Sequence, residues 1–100
     1  MEEKKKEERD PWEATEETYE KEICGKTVVF KANPPAKRIN AISRRFRNNP
    51  DRGNFELVRE IVVKPEITEE MWDNMSARVQ GLLIQEILEI IGISSPFLGT

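Results

Sequence analysis

The stretch Ser76-Ala-Arg-Val-Gln-Gly-Leu-Leu-Ile-Gln-Glu-Ile-Leu-Glu-Ile-Ile-Gly92 decides how the rest of the chain is read. Its apolar residues recur at spacings of three and four, which predicts a helix over 77–91 with Val79, Leu82, Leu83, Ile87, Ile90 and Ile91 on one core stripe. Ser76 supplies an N-cap, and Gly92 followed by the apolar Ile93 suits a Schellman end. Ile84 and Leu88 lie off the stripe and widen the apolar arc beyond what one small domain readily covers. The helix is therefore either fully central or offers a face to a partner or a second copy. Glu86 and Glu89 are expected on the solvent side, as ordinary charged positions of a helix.

Upstream of it, Thr68 reads as an N-cap with Glu69 and Glu70 in the favourable first turn, and Ile67 and Trp72 occupy the two positions of a hydrophobic staple. A short helix through Met75 follows. The segment 55–64 carries two signals. Phe55, Val58 and Val62 fit a helix after an Asn54 cap, while Ile61-Val-Val63 suits a strand pairing with residues 26–32, and the reading is a helix giving way to an extended end before Pro65. Lys26-Thr-Val-Val-Phe-Lys-Ala32 is β-branched and alternating, a short strand stopped by Asn33-Pro-Pro35. From Pro35 a helix with Ile39, Ile42 and Phe46 as its apolar face runs to the turn cluster Asn48-Asn-Pro-Asp-Arg-Gly53. The fold class expected is mainly α (α+β): a short N-terminal strand or hairpin packed with three to four helices.

The first 22 residues hold ten acids and five bases, with Trp12, Ala14 and Tyr19 as the only appreciable apolar groups. So little apolar surface cannot offset the ordering cost of roughly 1–2 kcal/mol per residue. The expectation is a disordered charged arm over 1–22, a single compact, mostly helical domain over 23–95 and a flexible tail over 96–100. Trp12 and Tyr19, seven apart, would share one face of a helix formed on a partner. Residues 31–52 hold seven bases against Asp51 alone, and residues 53–100 eight acids against three bases.

Function classes fall away quickly. The chain has no histidine and one cysteine, Cys24, which removes imidazole catalysis, His-ligated metals and an internal disulfide. Five scattered glycines write no phosphate loop, and the carboxylate pairs Glu69-Glu70 and Glu86/Glu89 have no activated nucleophile beside them. No enzyme activity and no cofactor is expected, and no signal peptide or membrane span is legible, so the expected setting is a reducing cytoplasm. Cys24 reads as a small, half-buried residue at the mouth of the strand. The one constellation open to function is basic: Lys37, Arg38, Arg44 and Arg45 repeat at seven on adjoining rows, with Lys31, Arg47 and Arg52 nearby. Such a row suits phosphates. With a pI near 5.1 and no aromatic interleaving, an acidic protein segment explains it at least as well, and a small nucleic-acid-binding or adaptor protein using Lys37 to Arg52 is the alternative.

The run Gly25-Lys-Thr-Val-Val-Phe-Lys-Ala-Asn-Pro-Pro35, the later Ile61-Val-Val-Lys-Pro-Glu-Ile-Thr-Glu-Glu-Met-Trp72, and the Leu/Ile-rich helix closing on Gly-Ile-Ser94 resemble the tail assembly chaperones of long-tailed (siphovirus-like) bacteriophages over about residues 24–95. The resemblance implies a non-enzymatic protein of the host cytoplasm, absent from the mature virion, that binds the tape measure protein, keeps its helices soluble and recruits tail tube protein while self-associating. Ile84, Leu88 and Ile91, with Lys37, Arg38, Arg44 and Arg45, are the protein-binding residues expected. It also implies a minus-one frameshift near the end of the reading frame, for which Ser95-Pro96-Phe97 has compatible codons.

Overall fold

The computed structural model describes residues 12–92. Three strands, β1 (Thr18–Ile23), β2 (Lys26–Lys31) and β3 (Val62–Lys64), form an antiparallel sheet in the order β1-β2-β3. Four helices accompany them: α1 (Ala36–Arg45), α2 (Pro50–Ile61), α3 (Glu69–Asn74) and α4 (Ala77–Ile90). The α+β class expected from the sequence is the class observed.

The hairpin forms because Cys24 and Gly25 both take positive φ, +49° and +86°. That is the geometry of a two-residue type I′ turn, whose twist matches the strands on either side. Ile23 consequently faces Lys26, and the ladder continues to Thr18 opposite Lys31. Asn33 then holds the chain further back, its Nδ2 donating to the Glu13 carbonyl at 2.9 Å. The charged arm expected over 1–22 is thus corrected: residues 18–22 are strand, while residues 1–11 lie outside the described residues. Composition misleads here because Glu20 and Glu22 point away from the helices whereas Tyr19 and Ile23 point toward them, so period-two alternation is masked by charge. Trp12 and Tyr19 share no helix face; Tyr19 stacks on Phe30 at 5.5 Å, and Trp12 is 92% exposed. Cys24 at the tip is exposed, not half-buried.

Both signals in segment 55–64 are realised in sequence. α2 ends at Ile61, and Val62–Lys64 pairs with β2, Phe30 facing Val62. The helix starts earlier than the turn cluster suggests, since Asn49, not Asn54, is its cap. The Asn49 side chain accepts from the Arg52 amide at 3.3 Å, and Pro50 fills the first helical position, where its missing N–H costs nothing. Gly53 is helical and sits against α1. A Cβ there would lie 3.2 Å from Phe46 Cβ, a tight contact that Phe46 would have to relieve by a few tenths of an ångström.

α2, not the last helix, is the centre of the molecule. Phe55, Val58 and Ile61 are all buried, and Val58 and Ile61 join Phe30 and Ile87 as the fully buried side chains. On α3, Thr68 caps through the Met71 amide at 3.1 Å and the staple residues Ile67 and Trp72 are both buried, with Trp72 6.0 Å from Phe55. Gln80 of α4 donates to the Trp72 carbonyl at 2.6 Å. Ser76 caps α4 through the Val79 amide, and Gly92 ends it with φ +84°; Ile93 and the proposed slippery triplet at 95–97 lie outside the described residues, as does the tail over 96–100.

Deleting residues 1–22, which composition alone treats as harmless, is expected to abolish cooperative unfolding. It removes all of β1 except Ile23 and uncovers Phe30. Thermal denaturation followed by circular dichroism checks this: a sharp transition near the parent midpoint would contradict the placement of β1.

Candidate functional site

α4 packs on the core along most of its length but is deeply buried at few positions. Only Leu83, Glu86 and Ile87 are buried, while Val79, Leu82, Ile84, Ile90 and Ile91 are partly buried against the core edge. The helix is therefore not the fully central element that its apolar content permits. Leu88 is partly buried and stands outside the core cluster. Ile84 is closer to the core than counting around the helix suggests, and a charge placed there would disturb packing as well as any outer surface; Leu88 is the cleaner probe of the flank. Ile84 and Ile91 pack against the core edge, and Leu88 lies between them farther out.

Glu86 departs most from expectation. Counted as a solvent-facing acid, it is in fact 9% exposed, its carboxylate turned toward β1. Tyr19 Oη donates to Oε2 at 2.5 Å and Lys21 Nζ to Oε1 at 2.7 Å. Burial works against the Glu86 charge, yet the hydrogen bonds from Lys21 and Tyr19 outweigh it and hold the carboxyl below its ordinary range. Burial first, then the same carboxylate, pushes the Tyr19 phenol up, so it stays a donor. Lys21 is raised by its hydrogen bond to Glu86. The cluster is a fully satisfied polar clamp that fixes the rotation of α4 over the sheet and so decides which apolar residues face outward.

The basic residues form a second face. Arg38 is engaged, donating to Glu60 at 2.9 Å, and Lys31 reaches the same carboxylate at 3.3 Å. Burial disfavours the Glu60 charge, but these two partners prevail and lower its pKa. Arg52 pairs with Glu56 and Glu69, each at 3.0 Å. Lys37, Arg44, Arg45 and Arg47 are exposed and have no carboxylate partner among the described residues; the Arg45 guanidinium lies 5.3 Å from the Phe46 ring centre. The structure keeps Lys37, Arg44 and Arg45 together on α1, while Arg38, itself exposed, is engaged by Glu60. Between α1 and α2 runs a groove of about 420 Å³ lined by Ile42, Phe46, Arg38, Arg45 and Arg59 among others. Its Glu56 and Glu60 keep it from being a simple anion site.

A smaller apolar hollow of about 200 Å³ lies between the hairpin tip, α3 and α4, lined by Ile23, Val28, Ile67, Met71, Met75 and Leu83 among others. Nothing in the linear pattern brings Cys24 and the methionines together. Among the described residues no cluster of metal-ligating side chains forms, and no helix is long and apolar enough to cross a membrane. Comparison with protein-family models, curated proteins and solved structures finds no match.

Proposed function

We propose that the protein is a tail assembly chaperone of the long-tailed phage type, binding helical segments of a tape measure protein, keeping them soluble and recruiting tail tube subunits in the host cytoplasm. The observation that carries the reading is the flank of α4: Ile84, Leu88 and Ile91 line one side of a capped helix that the domain covers only partly. An apolar ridge of this kind seats a second helix by ridges-into-grooves packing. Weak contacts repeated along an elongated client suit a small domain acting in many copies. The sequence runs around Pro34-Pro35, Pro65-Glu-Ile-Thr68 and the closing helix support the same assignment.

Co-expression tests it. A long, coiled-coil-like product of the neighbouring downstream gene should be insoluble alone and soluble with this protein, and Leu88→Glu should lower the soluble yield by about tenfold or more while helical circular dichroism is retained. A client as soluble with Leu88→Glu as with the parent would overturn the assignment of the flank.

The exposed cations on α1 favour one second reading, an adaptor or nucleic-acid binder. Its signature is affinity for a generic duplex that falls steeply with salt and is lost in Lys37→Glu/Arg44→Glu.

A further inference from the structure

We infer that the hollow between the hairpin tip, α3 and α4 binds a medium-chain aliphatic carboxylate, its chain among the apolar walls and its head on Lys26. The walls come from three elements. The turn at Cys24-Gly25 sets Ile23 opposite Lys26, and alternation along β2 puts Lys26 and Val28 on the same side of the sheet as the fully buried Phe30. Met71 and Met75 stand one turn apart where α3 ends, and Val79 and Leu83 one turn apart on α4. Both pairs therefore present to the same space. Apart from Cys24 and Lys26, every residue that lines the hollow is apolar. Unbranched methionines suit such a wall, since their side chains adapt to the outline of what they cover.

Lys26 identifies the ligand. It is exposed and lines the hollow, a position in which the alkyl stem lies along the apolar wall and the ammonium keeps to the water at the mouth. Lys21 stands on the same side of the sheet and reaches Glu86 at 2.7 Å. Lys26 has no carboxylate partner among the described residues. Nor does it guard an exposed sheet edge, because β2 is the middle strand. An apolar hollow with one unmatched cation at its mouth is complementary to a chain that ends in an anion. The walls hold the chain, and the single polar group fixes which end enters. Size sets the length. At about 30 Å³ for each heavy atom, a hollow of about 200 Å³ takes about six or seven carbons, the chain that octanoate carries beyond its carboxyl carbon. A peptide ending in an apolar residue shares this head, but its backbone N–H needs an acceptor. The side chains around the hollow offer none stronger than a sulfur.

The head stays in contact with water and few atoms are buried, so a dissociation constant on the order of 0.1–1 mM is expected. The site stands without the chaperone reading, since no client takes part.

The test titrates the full chain with sodium octanoate and follows the methionine methyl groups by NMR. Octanoate saturates one site. Hexanoate binds about tenfold more weakly, and decanoate gains less than about threefold because the hollow is already filled. Lys26→Met weakens octanoate about fivefold and leaves octan-1-ol unchanged, while Lys26→Arg stays within about twofold of the parent. Lys26 is exposed, so both variants keep the parent's circular dichroism. Saturating octanoate also slows alkylation of Cys24 by iodoacetamide about threefold or more, since that thiol stands at the same mouth. Shifts that grow linearly with octanoate and never saturate would overturn the site. So would affinity that keeps rising through decanoate, the signature of an open apolar surface; a Lys26→Met variant that binds as well as the parent; or unchanged Cys24 reactivity at saturation. A peptide ending in a phenylalanine carboxylate that binds more tightly than octanoate would assign the hollow to chain termini instead, and overturn it too.

Discussion

Phe30→Ala is expected to cost about 3–5 kcal/mol, a large share of the stability of a small domain, and to lower the denaturation midpoint sharply. Phe30 has no exposed surface. It sits on the middle strand, stacks on Tyr19 at 5.5 Å and faces Val62 across the β2–β3 ladder, so its removal empties the place where all three strands meet. A domain of this size has a total stability of roughly 5–15 kcal/mol. Denaturant titration by tryptophan fluorescence is the measurement, Trp72 being buried beside Phe55. A midpoint within error of the parent would mean that the sheet does not organise the core. Val63→Ala, on the exposed face of β3, serves as the control and should change stability by less than about 0.5 kcal/mol.

The second large effect belongs to Glu86. Glu86→Ala leaves the Tyr19 hydroxyl without its acceptor and removes a charge-assisted bond from Lys21. An unsatisfied polar group costs about 1–3 kcal/mol where water cannot reach it; the Tyr19 bond is only part-buried, which puts it at the low end, and the Lys21 side chain is 50% exposed, so its share is small. The Tyr19 bond is expected to account for about 1 kcal/mol of the loss, and Tyr19→Phe should lose about as much. The pH dependence follows from the direction of the shift. Glu86 is held below its ordinary value of 4.5 in the folded protein, so the stability it contributes is fully present above that value and is lost as pH falls through the lower, folded value. Glu60, lowered in the same way by Arg38 and Lys31, adds to the same loss. The stability gap between the parent and Glu86→Gln should therefore narrow as the solution is acidified below pH 4.5. A gap that widens on acidification would contradict the geometry of the clamp.

Much of the architecture was legible because local chemistry marks it. The caps at Thr68 and Ser76, the glycine end at Gly92 and the staple of Ile67 and Trp72 are short-range signals, and each is found where its residues stand. The change from helix to strand at Ile61–Val62 could be anticipated because Pro65 forbids the α region just before it while the β-branched run favours extension. What stayed hidden is non-local. β1 has two apolar residues among charges, and its strand character comes from pairing with Lys26–Lys31 across the Cys24-Gly25 turn. The first turn of α2 was obscured because Asn49-Pro50 reads equally as a turn and as a capped helix start. Glu86 follows ordinary helix counting until Tyr19 and Lys21, 67 and 65 residues away, arrive beside it.

The same contacts explain why the candidate site was only half visible. Periodicity sets Ile84 and Leu88 off the core stripe and Ile91 on it, but how far that side opens depends on the rotation that Glu86 sets, and on α2 rather than α4 filling the centre. On α1 the basic rows are present as written, yet the pairing of Arg38 with Glu60 joins residues 22 apart and leaves Lys37, Arg44, Arg45 and Arg47 as the outward cations. That division separates an apolar face on α4 from a cationic face on α1. On the proposed reading, one face would take a helical client and the other an acidic partner.

Hydrogen–deuterium exchange on the complex with a helical segment of the downstream coiled-coil product tests the central claim most directly. Added protection is expected over α4, centred on the turn from Ile84 to Ile91, with the amides of Lys37–Arg47 unchanged. Protection confined to α1, or none on α4 when the client is bound, would contradict it.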